Sequence, residues 1–329
     1  MHPILELTHV TKRFPADKGE ITVLNDVSLT VQPGETVCLV GESGCGKTTT
    51  GKLVAGLHAP SEGHIRYRGK DIWQMSKDEF AQYRREVQFI HQDPYASLNP
   101  AHTIGRMLSF PLKHHGITKD EKSTQARVRE LLKLVDLTPV DDFVHKFPHQ
   151  LSGGQRQRAS IARSLTLNPK VIVADESVSM VDVSIRLSLL GILSRLKQEM
   201  GMTVLFITHD LAIANYFARD GRTVVMYLGR VVELARTPDI MLHPKHPYAQ
   251  ALLGAVPEAD PQLTRNKVRV PLRSLDVPSL RNLPSGCAFH PRCPVYAQGV
   301  CETDVPQLTP MPDSRVIACH VAVKNIMSE

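Results

Sequence analysis

The octapeptide Gly41-Glu42-Ser43-Gly44-Cys45-Gly46-Lys47-Thr48 fits the pattern G-x-x-x-x-G-K-[ST]. Glycines at those positions let successive backbone N–H groups wrap phosphates at a helix N-terminus, while the lysine reaches the β- and γ-phosphates and the threonine hydroxyl meets Mg²⁺. Lys47 and Thr48 occupy those places, and Thr49 continues into the helix. A second run, Leu151-Ser152-Gly153-Gly154-Gln155-Arg156-Gln157-Arg158, sets a serine cap before two glycines. Its first N–H groups can face an anion, with no lysine of its own, or the run is a plain serine-capped helix. Asp175 and Glu176 close the apolar run Val171-Ile172-Val173-Ala174. Two carboxylates at a strand end suit a metal and an attacking water, or a solvated turn. His209 follows the apolar run Val204-Leu205-Phe206-Ile207, where a histidine can serve an anion or be structural.

The cysteines pose a separate question. Cys287, Cys293, Cys301 and Cys319 follow the spacing C-x5-C-x7-C-x17-C, far from Cys38 and Cys45. In a chain whose start, Met1-His2-Pro3-Ile4-Leu5-Glu6, lacks the basic and long apolar regions of a signal peptide, such a cluster points to a metal rather than to disulfides. Four thiolates suit a [4Fe-4S] cluster or zinc; the absence of paired C-x2-C units weakens a zinc ribbon, and unliganded thiols are the third reading. Cys45, close to Lys47, reads either as an exposed thiol of lowered pKa or as a tolerated small residue.

Elements must carry these groups. Ile4-Leu5-Glu6-Leu7 and Ile21-Thr22-Val23-Leu24 predict two strands around the turn Ala16-Asp17-Lys18-Gly19. Thr36-Val37-Cys38-Leu39-Val40 is near-continuously apolar, as expected of a strand buried on both faces of a parallel sheet, and the helical stretch Thr48 to Leu57 follows the glycine loop. Between about Pro94 and Leu165 the spacing becomes helical, with Val128, Leu131, Leu132 and Val135 on one face and Ser123 or Thr124 as cap. Strand patterns return at Val171 to Ala174, Val204 to Ile207, and Val224 to Tyr227, the last turning through Leu228-Gly229 into Val231 to Leu234. The expected class is α/β. Beyond about Pro238 the texture changes: ten of the 23 prolines fall between Pro257 and Pro312, which predicts a small irregular module.

Bulk composition narrows the classes. At 329 residues with 42% hydrophobic and 22% charged content, global disorder is excluded, and no run of apolar residues is long enough to cross a bilayer. The net charge of +6 is spread along the chain rather than blocked, so it predicts a solvated surface and no nucleic-acid partner.

Taken in order, these runs resemble the ATP-binding subunits of ABC transporters over roughly residues 4 to 255. Leu151-Ser152-Gly153-Gly154-Gln155 matches the LSGGQ signature, which separates this class from other phosphate-loop ATPases. The resemblance implies a P-loop ABC ATPase core with an antiparallel β subdomain, a helical insertion at about 94–165 and a C-terminal cysteine module. Residues 1–255 then form the ATPase domain and 256–329 the module. It implies that Asp175, with Thr48 and Gln92, serves Mg²⁺, and that Glu176 polarises the attacking water. Catalysis then rests on Glu176, His209 and Lys47, His209 matching the switch histidine able to bond the γ-phosphate and Glu176. Gln92 matches the Q-loop glutamine. Ser179-Met180-Val181-Asp182 resembles the D-loop, and Phe14 resembles the aromatic that stacks on adenine, although alone it reads as core. ATP is expected to contact Phe14, residues 41–49 and Gln92. Ser152, Gly153, Gly154 and Gln155 would act on ATP held by a second subunit, giving a head-to-tail dimer closed by ATP and opened by hydrolysis.

Phe89-Ile90-His91-Gln92-Asp93-Pro94-Tyr95-Ala96-Ser97-Leu98-Asn99-Pro100 and His246-Pro247-Tyr248-Ala249-Gln250-Ala251-Leu252-Leu253 resemble the oligopeptide/dipeptide importer branch. So do Gly286-Cys287-Ala288-Phe289-His290-Pro291-Arg292-Cys293-Pro294 and Ala318-Cys319-His320, and members of that branch bind a [4Fe-4S] cluster at these cysteines. The branch implies an energy-coupling importer subunit at the cytoplasmic face of the membrane. Its expected partners are a second, related ATP-binding subunit, two permease subunits and an extracytoplasmic solute-binding protein. The competing reading is a soluble ABC-class ATPase of DNA repair or translation, whose usual second cassette, coiled coil or zinc insertion is not visible. Ser177 for the proline after the glutamate, Met180-Val181 for Ala-Leu, and His91 for an aromatic depart from the pattern without removing a catalytic group.

Overall fold

A computed structural model describes residues 2–17, 19–179, 181–256 and 270–327. Lys18 of the first turn and Met180 of the D-loop run lie outside the described residues, as does 257–269 of the module. The predicted first strands are longer than their apolar runs: β1 (Leu5–Pro15) and β2 (Glu20–Val31) pair antiparallel through to Pro15↔Glu20. β4 (Glu62–Tyr67) pairs with the other edge of β1 and with β5 (Lys70–Asp71), making a four-stranded antiparallel sheet. Backbone pairing extends the strands past the apolar residues because neighbouring N–H and C=O groups need partners whatever the side chain.

The second sheet holds β3 (Thr36–Val40), β6 (Val87–Ile90), β7 (Val171–Asp175), β8 (Thr203–Thr208), β9 (Arg222–Tyr227), β10 (Arg230–Arg236), β11 (Thr309–Pro310) and β12 (Val316–Ile317). Its order is β11-β12-β10-β9-β3-β8-β7-β6. The central strands are parallel and in step, with Val40 opposite Thr208, Asp175 opposite Ile207 and Ile90 opposite Ala174. The loops that leave β3, β6, β7 and β8 therefore emerge at one edge, the place where open parallel sheets bind ligands.

Alternation along these strands divides the core in two. Cys38, Val40, Ile172, Ala174, Val204 and Phe206 face the helical insertion; Val37, Leu39, Val171, Val173, Leu205 and Ile207 face the antiparallel sheet. Burial on both faces is why these strands read as unbroken apolar runs.

The insertion comprises α3 (Pro94–Ser97), α4 (Ile104–His114), α5 (Glu121–Leu134), α6 (Asp141–Val144) and α7 (Gly153–Ser164), after α1 (Lys47–Val54) and α2 (Lys77–Glu86). Val128, Leu131, Leu132 and Val135 are buried as their spacing predicts. The cap is corrected to Asp120, whose carboxylate accepts the Ser123 N–H at 2.7 Å while the Ser123 hydroxyl accepts the Asp120 N–H at 3.2 Å. Ser123 is thus the inner partner of a reciprocal capping box, and the charged acceptor takes the outer place. Later helices are α8 (Val183–Met200), α9 (Leu211–Phe217), α10 (Thr237–Leu242), α11 (Pro247–Ala255) and α12 (His320–Met327). Among the described residues no helix is long and apolar enough to cross a membrane.

Residues 270–308 are irregular, but the segment after them is not loose. β12 pairs with β10, and Arg315 forms a buried ion pair with Glu233, whose carboxylate also accepts the N–H groups of Lys245 and His246. The module is attached by sheet pairing and by a buried charge pair, with Arg315 also held by Asp313 at 3.2 Å and by the His243 carbonyl at 2.8 Å.

Candidate active site

The glycine loop leaves β3 at Gly41, whose φ is +154° and where an added Cβ would stand 2.2 Å from the Met226 carbonyl oxygen, so the close approach to β9 admits only glycine. Ser43, Gly44 and Thr48 are exposed, whereas Cys45 and Lys47 are buried. The N-terminus of α1 is capped by Gly46 with no side-chain bond, so its first amides stay open to an anion. Lys47 Nζ donates to the carbonyl oxygens of Gly41 at 2.8 Å and Glu42 at 3.0 Å. Of the two readings of Cys45, the exposed thiol of lowered pKa is corrected: the residue is buried, and desolvation raises its pKa more than the Lys47 charge lowers it.

Asp175 ends β7, buried, and accepts the Thr48 hydroxyl at 3.0 Å. Burial raises its pKa, with the adjacent Glu176 charge adding to the rise and the Thr48 bond opposing it. Glu176 sits at φ +41°, a left-handed conformation uncommon outside glycine. Its N–H donates to Ile207 and its carbonyl accepts the N–H and hydroxyl of Ser179. The carboxylate is held at both oxygens: Gln92 Nε2 donates to one at 3.0 Å, and His209 Nδ1 is 3.2 Å from the other. Gln92 follows β6 and His209 follows β8, so four strand ends deliver Lys47, Gln92, Asp175, Glu176 and His209 to one place.

The other predicted residues stand apart. Ser152 caps α7, accepting the Gln155 N–H at 3.3 Å while Gln155 accepts the Ser152 N–H at 3.0 Å. A Cβ on Gly154 would meet Ile185 of α8 at 2.6 Å. Among the described residues Ser152, Gly153, Gly154 and Gln155 make no hydrogen bond to the glycine loop or to Asp175, Glu176 or His209. Asp182 precedes α8 without a capping bond. Phe14 lies on β1 opposite Ile21, half-buried rather than in the core, with Lys12 Nζ 4.9 Å from its ring centroid and His58 edge-on at 5.7 Å.

Two contacts to the loop were not legible in the sequence. The Glu42 N–H donates to Tyr248 Oη at 2.9 Å, and its carboxylate takes both terminal nitrogens of Arg292, at 2.9 and 3.1 Å. Tyr248 and Arg292 each sit in a run noted above, but nothing in the spacing joins residues so distant to position 42.

The four late cysteines neighbour one another. The Cys287 thiol is pushed up to about 12 and that of Cys293 to about 11, by burial first and then by the other thiols. Each sulfur meets a backbone N–H: Phe289 at Cys287, Val295 at Cys293, Ala297 at Cys301 and Ala322 at Cys319. Among the described residues no group of three or more His, Cys, Asp or Glu is gathered as the shell of a metal ion.

Comparison with known proteins supplies a context for these geometries. Residues 24–179 match the family described as ABC transporter, and residues 232–301 the family described as oligopeptide/dipeptide transporter, C-terminal region. The chain is 43% identical over 325 residues to the "Probable peptide ABC transporter ATP-binding protein y4tS" of Sinorhizobium fredii, covering 97% of this chain and 90% of that protein. It is 40% identical over 326 residues to the oligopeptide transport ATP-binding protein AppF of Bacillus subtilis, covering 97% of each. Among solved structures it is similar to the ATP-binding cassette MJ0796, dimeric and bound to ADP and Pi after hydrolysis. The TM-score is 0.64 at 30% identity, over 71% of this chain and 98% of that one. Another is cbiO1 of Clostridium perfringens, part of the transporter complex cbiONQ, with TM-score 0.63 at 25% identity over 74% and 92%.

Proposed function

This chain belongs to the ABC transporter family of ATP-binding subunits and is an ATPase, and on that premise we propose that it powers uptake of peptides or related small solutes across the cytoplasmic membrane. The cargo class rests on the C-terminal region match and on the peptide-transport names of relatives such as AppF. Those names do not favour a soluble repair or translation ATPase.

The observation that carries the hydrolytic reading is the hold on Glu176 at both carboxylate oxygens, by Gln92 and by His209. A carboxylate fixed in this way can orient a water and take its proton as it attacks the γ-phosphate. Lys47 would exchange its two loop carbonyls for phosphate oxygens. The Thr48 hydroxyl and the buried Asp175 carboxylate, 3.0 Å apart, are the hard oxygen donors that suit Mg²⁺, with Gln92 at its edge. When bound, Mg²⁺ neutralises charge on the phosphates. Residues 41–49 would hold the polyphosphate and Phe14 the adenine. The exposed cap at Ser152, with Gly153, Gly154, Gln155 and Asp182, would complete the site of a second, related subunit, since among the described residues the cap makes no hydrogen bond to the groups just named.

A cleft of about 640 Å³ between β6 and the helical insertion, lined among others by His91, Arg106 and the exposed Phe110, is the proposed seat of a segment of one of the two permease subunits. It lies beside Gln92, so movement at the nucleotide could reach the membrane partner. An extracytoplasmic solute-binding protein would complete the assembly, with this chain peripheral on the cytoplasmic face.

We also propose a [4Fe-4S] cluster on Cys287, Cys293, Cys301 and Cys319. Backbone N–H groups at all four sulfurs support it, because such bonds stabilise thiolate ligands and tune cluster potential. A four-iron cube also holds its thiolates further apart than a single ion does. Anaerobic purification with visible absorption and iron analysis tests it; colourless, iron-free protein would refute the cluster.

Replacing Glu176 by Gln tests the hydrolytic reading. Phosphate release should fall at least about 100-fold while ATP drives dimer formation seen by size-exclusion chromatography. An unchanged rate would remove Glu176 from the mechanism.

A further inference from the structure

Two residues of the phosphate loop are held by parts of the chain that come after the main sheet's parallel strands: the Cys45 carbonyl accepts the Gly229 N–H at 3.0 Å, and Glu42 is held through both its main chain and its side chain. Its N–H is fixed by Tyr248 of α11 and its carboxylate by Arg292 in the turn between Cys287 and Cys293, while Lys47 holds its carbonyl from within the loop. The arginine is built into place. Its side chain is 6% exposed, Nη1 lies 3.4 Å from Tyr227 Oη, and its guanidinium lies 5.8 and 5.7 Å from the centroids of Tyr227 and the fully buried Phe289. Tyr227, Tyr248 and Phe289 pack with ring centroids 4.5 to 5.4 Å apart, so the module enters the ATPase core as an aromatic plug beside a charged fork. The main chain of Arg292 is fixed as well: its N–H donates to Phe289 and its carbonyl accepts the Arg273 N–H.

We propose that Arg292 is a positioning residue for the nucleotide: by holding Glu42 in a two-pronged pair, the cysteine module keeps the phosphate loop in its ATP-receiving shape and keeps a loop carboxylate neutralised. The physical reason is one of sign and geometry. The loop wraps a polyanion with backbone N–H groups, so a carboxylate on that loop opposes binding unless a cation is fixed against it. A planar arginine fork fixes both carboxylate oxygens, and so the direction of the Glu42 backbone, where a lysine fixes only a charge. Because Arg292 directly precedes Cys293, the fold of the cysteine turn and the affinity for ATP become linked properties.

The proposal rests on the ATP-site reading, whose own failure would appear as no nucleotide binding by the unaltered chain. The test is a double-mutant cycle on the full chain, reading the Kd of a fluorescent ATP analogue and the ligand-free thermal midpoint. Arg292→Gln should raise Kd about tenfold, as expected for a coupled, partly buried charge pair. Glu42→Gln should raise it no more than about threefold, because it removes the repelling charge together with the tether, and the double variant should match Glu42→Gln rather than Arg292→Gln. Arg292→Lys, which keeps the charge without the fork, should fall between the unaltered chain and Arg292→Gln, and serves alone if Arg292→Gln does not fold. Native Kd in either Arg292 variant with an intact midpoint overturns the proposal. So does a double variant as weak as Arg292→Gln, since Arg292 would then act on the nucleotide or the fold without Glu42.

Discussion

Asp175 and Cys45 show how burial sets the chemistry of individual groups at this site. Asp175 holds its proton more tightly in the folded chain than when unfolded, because burial penalises the carboxylate. By linkage its stabilising contribution is present below the unfolded pKa and is lost as pH rises through the raised folded one, so at neutral pH the ligand-free protein carries an unfavourable charge. Asp175→Asn keeps an acceptor for Thr48 and removes that charge. It should raise the ligand-free thermal midpoint at pH 7.5 while abolishing the further rise that Mg-ATP gives the unaltered chain, and calorimetry with and without Mg-ATP checks both signs. Cys45, buried and raised in pKa, should alkylate at pH 7.5 at least about tenfold more slowly than a free cysteine, even without ATP. Mass spectrometry of the loop peptide over time reads this; labelling at the free rate would contradict the buried placement.

Helix ends decide how the elements meet the site. His246 caps α11, the helix that brings Tyr248 to Glu42, by accepting the Tyr248 N–H at Nδ1, 3.0 Å away. A histidine that must accept cannot be protonated there, and burial pushes its pKa from 6.5 down to about 3. The unfolded chain takes up that proton near 6.5 and the folded chain does not, so stability is full above pH 6.5 and falls as pH drops from there toward 3. Between pH 7.5 and 5.5 this amounts to about 1 kcal/mol. His246→Asn retains a capping oxygen without titrating. The gap between its thermal midpoints at those two pH values should be smaller than in the unaltered chain, and an equal gap would assign the pH dependence elsewhere.

At the scale of the whole molecule, the late segment is part of the main sheet as well as the holder of the cysteines. Glu233 of β10 is fully buried, and Arg315 beside β12 is its cation. Removing one member strands the other, so Arg315→Met should cost about 3–5 kcal/mol. Adding Glu233→Gln should recover part of that loss, because the stranded charge is then gone. Denaturation midpoints of both variants check the order; an Arg315→Met protein as stable as the parent would mean that β12 is not anchored through this pair.

What the sequence determined by itself is local chemistry and local periodicity. The glycine loop from Gly41 to Thr48, the serine cap at Ser152, and Asp175 and Glu176 at a strand end were legible because each is a short run whose backbone geometry follows from its own residues. The buried strands and the apolar face of α5 were legible for the same reason. Asp120 is not distinguished as the cap by the sequence, since Ser123 and Thr124 nearby carry the same local signal. The tertiary structure decided which of these groups meet. Gln92 and His209 close on Glu176 only because parallel pairing brings their strands into step. Arg292 reaches Glu42 across 250 positions because an aromatic plug seats the module. The sign of the Cys45 shift likewise belongs to packing, since desolvation depends on what the fold lays over the thiol and neighbouring charge in the sequence does not.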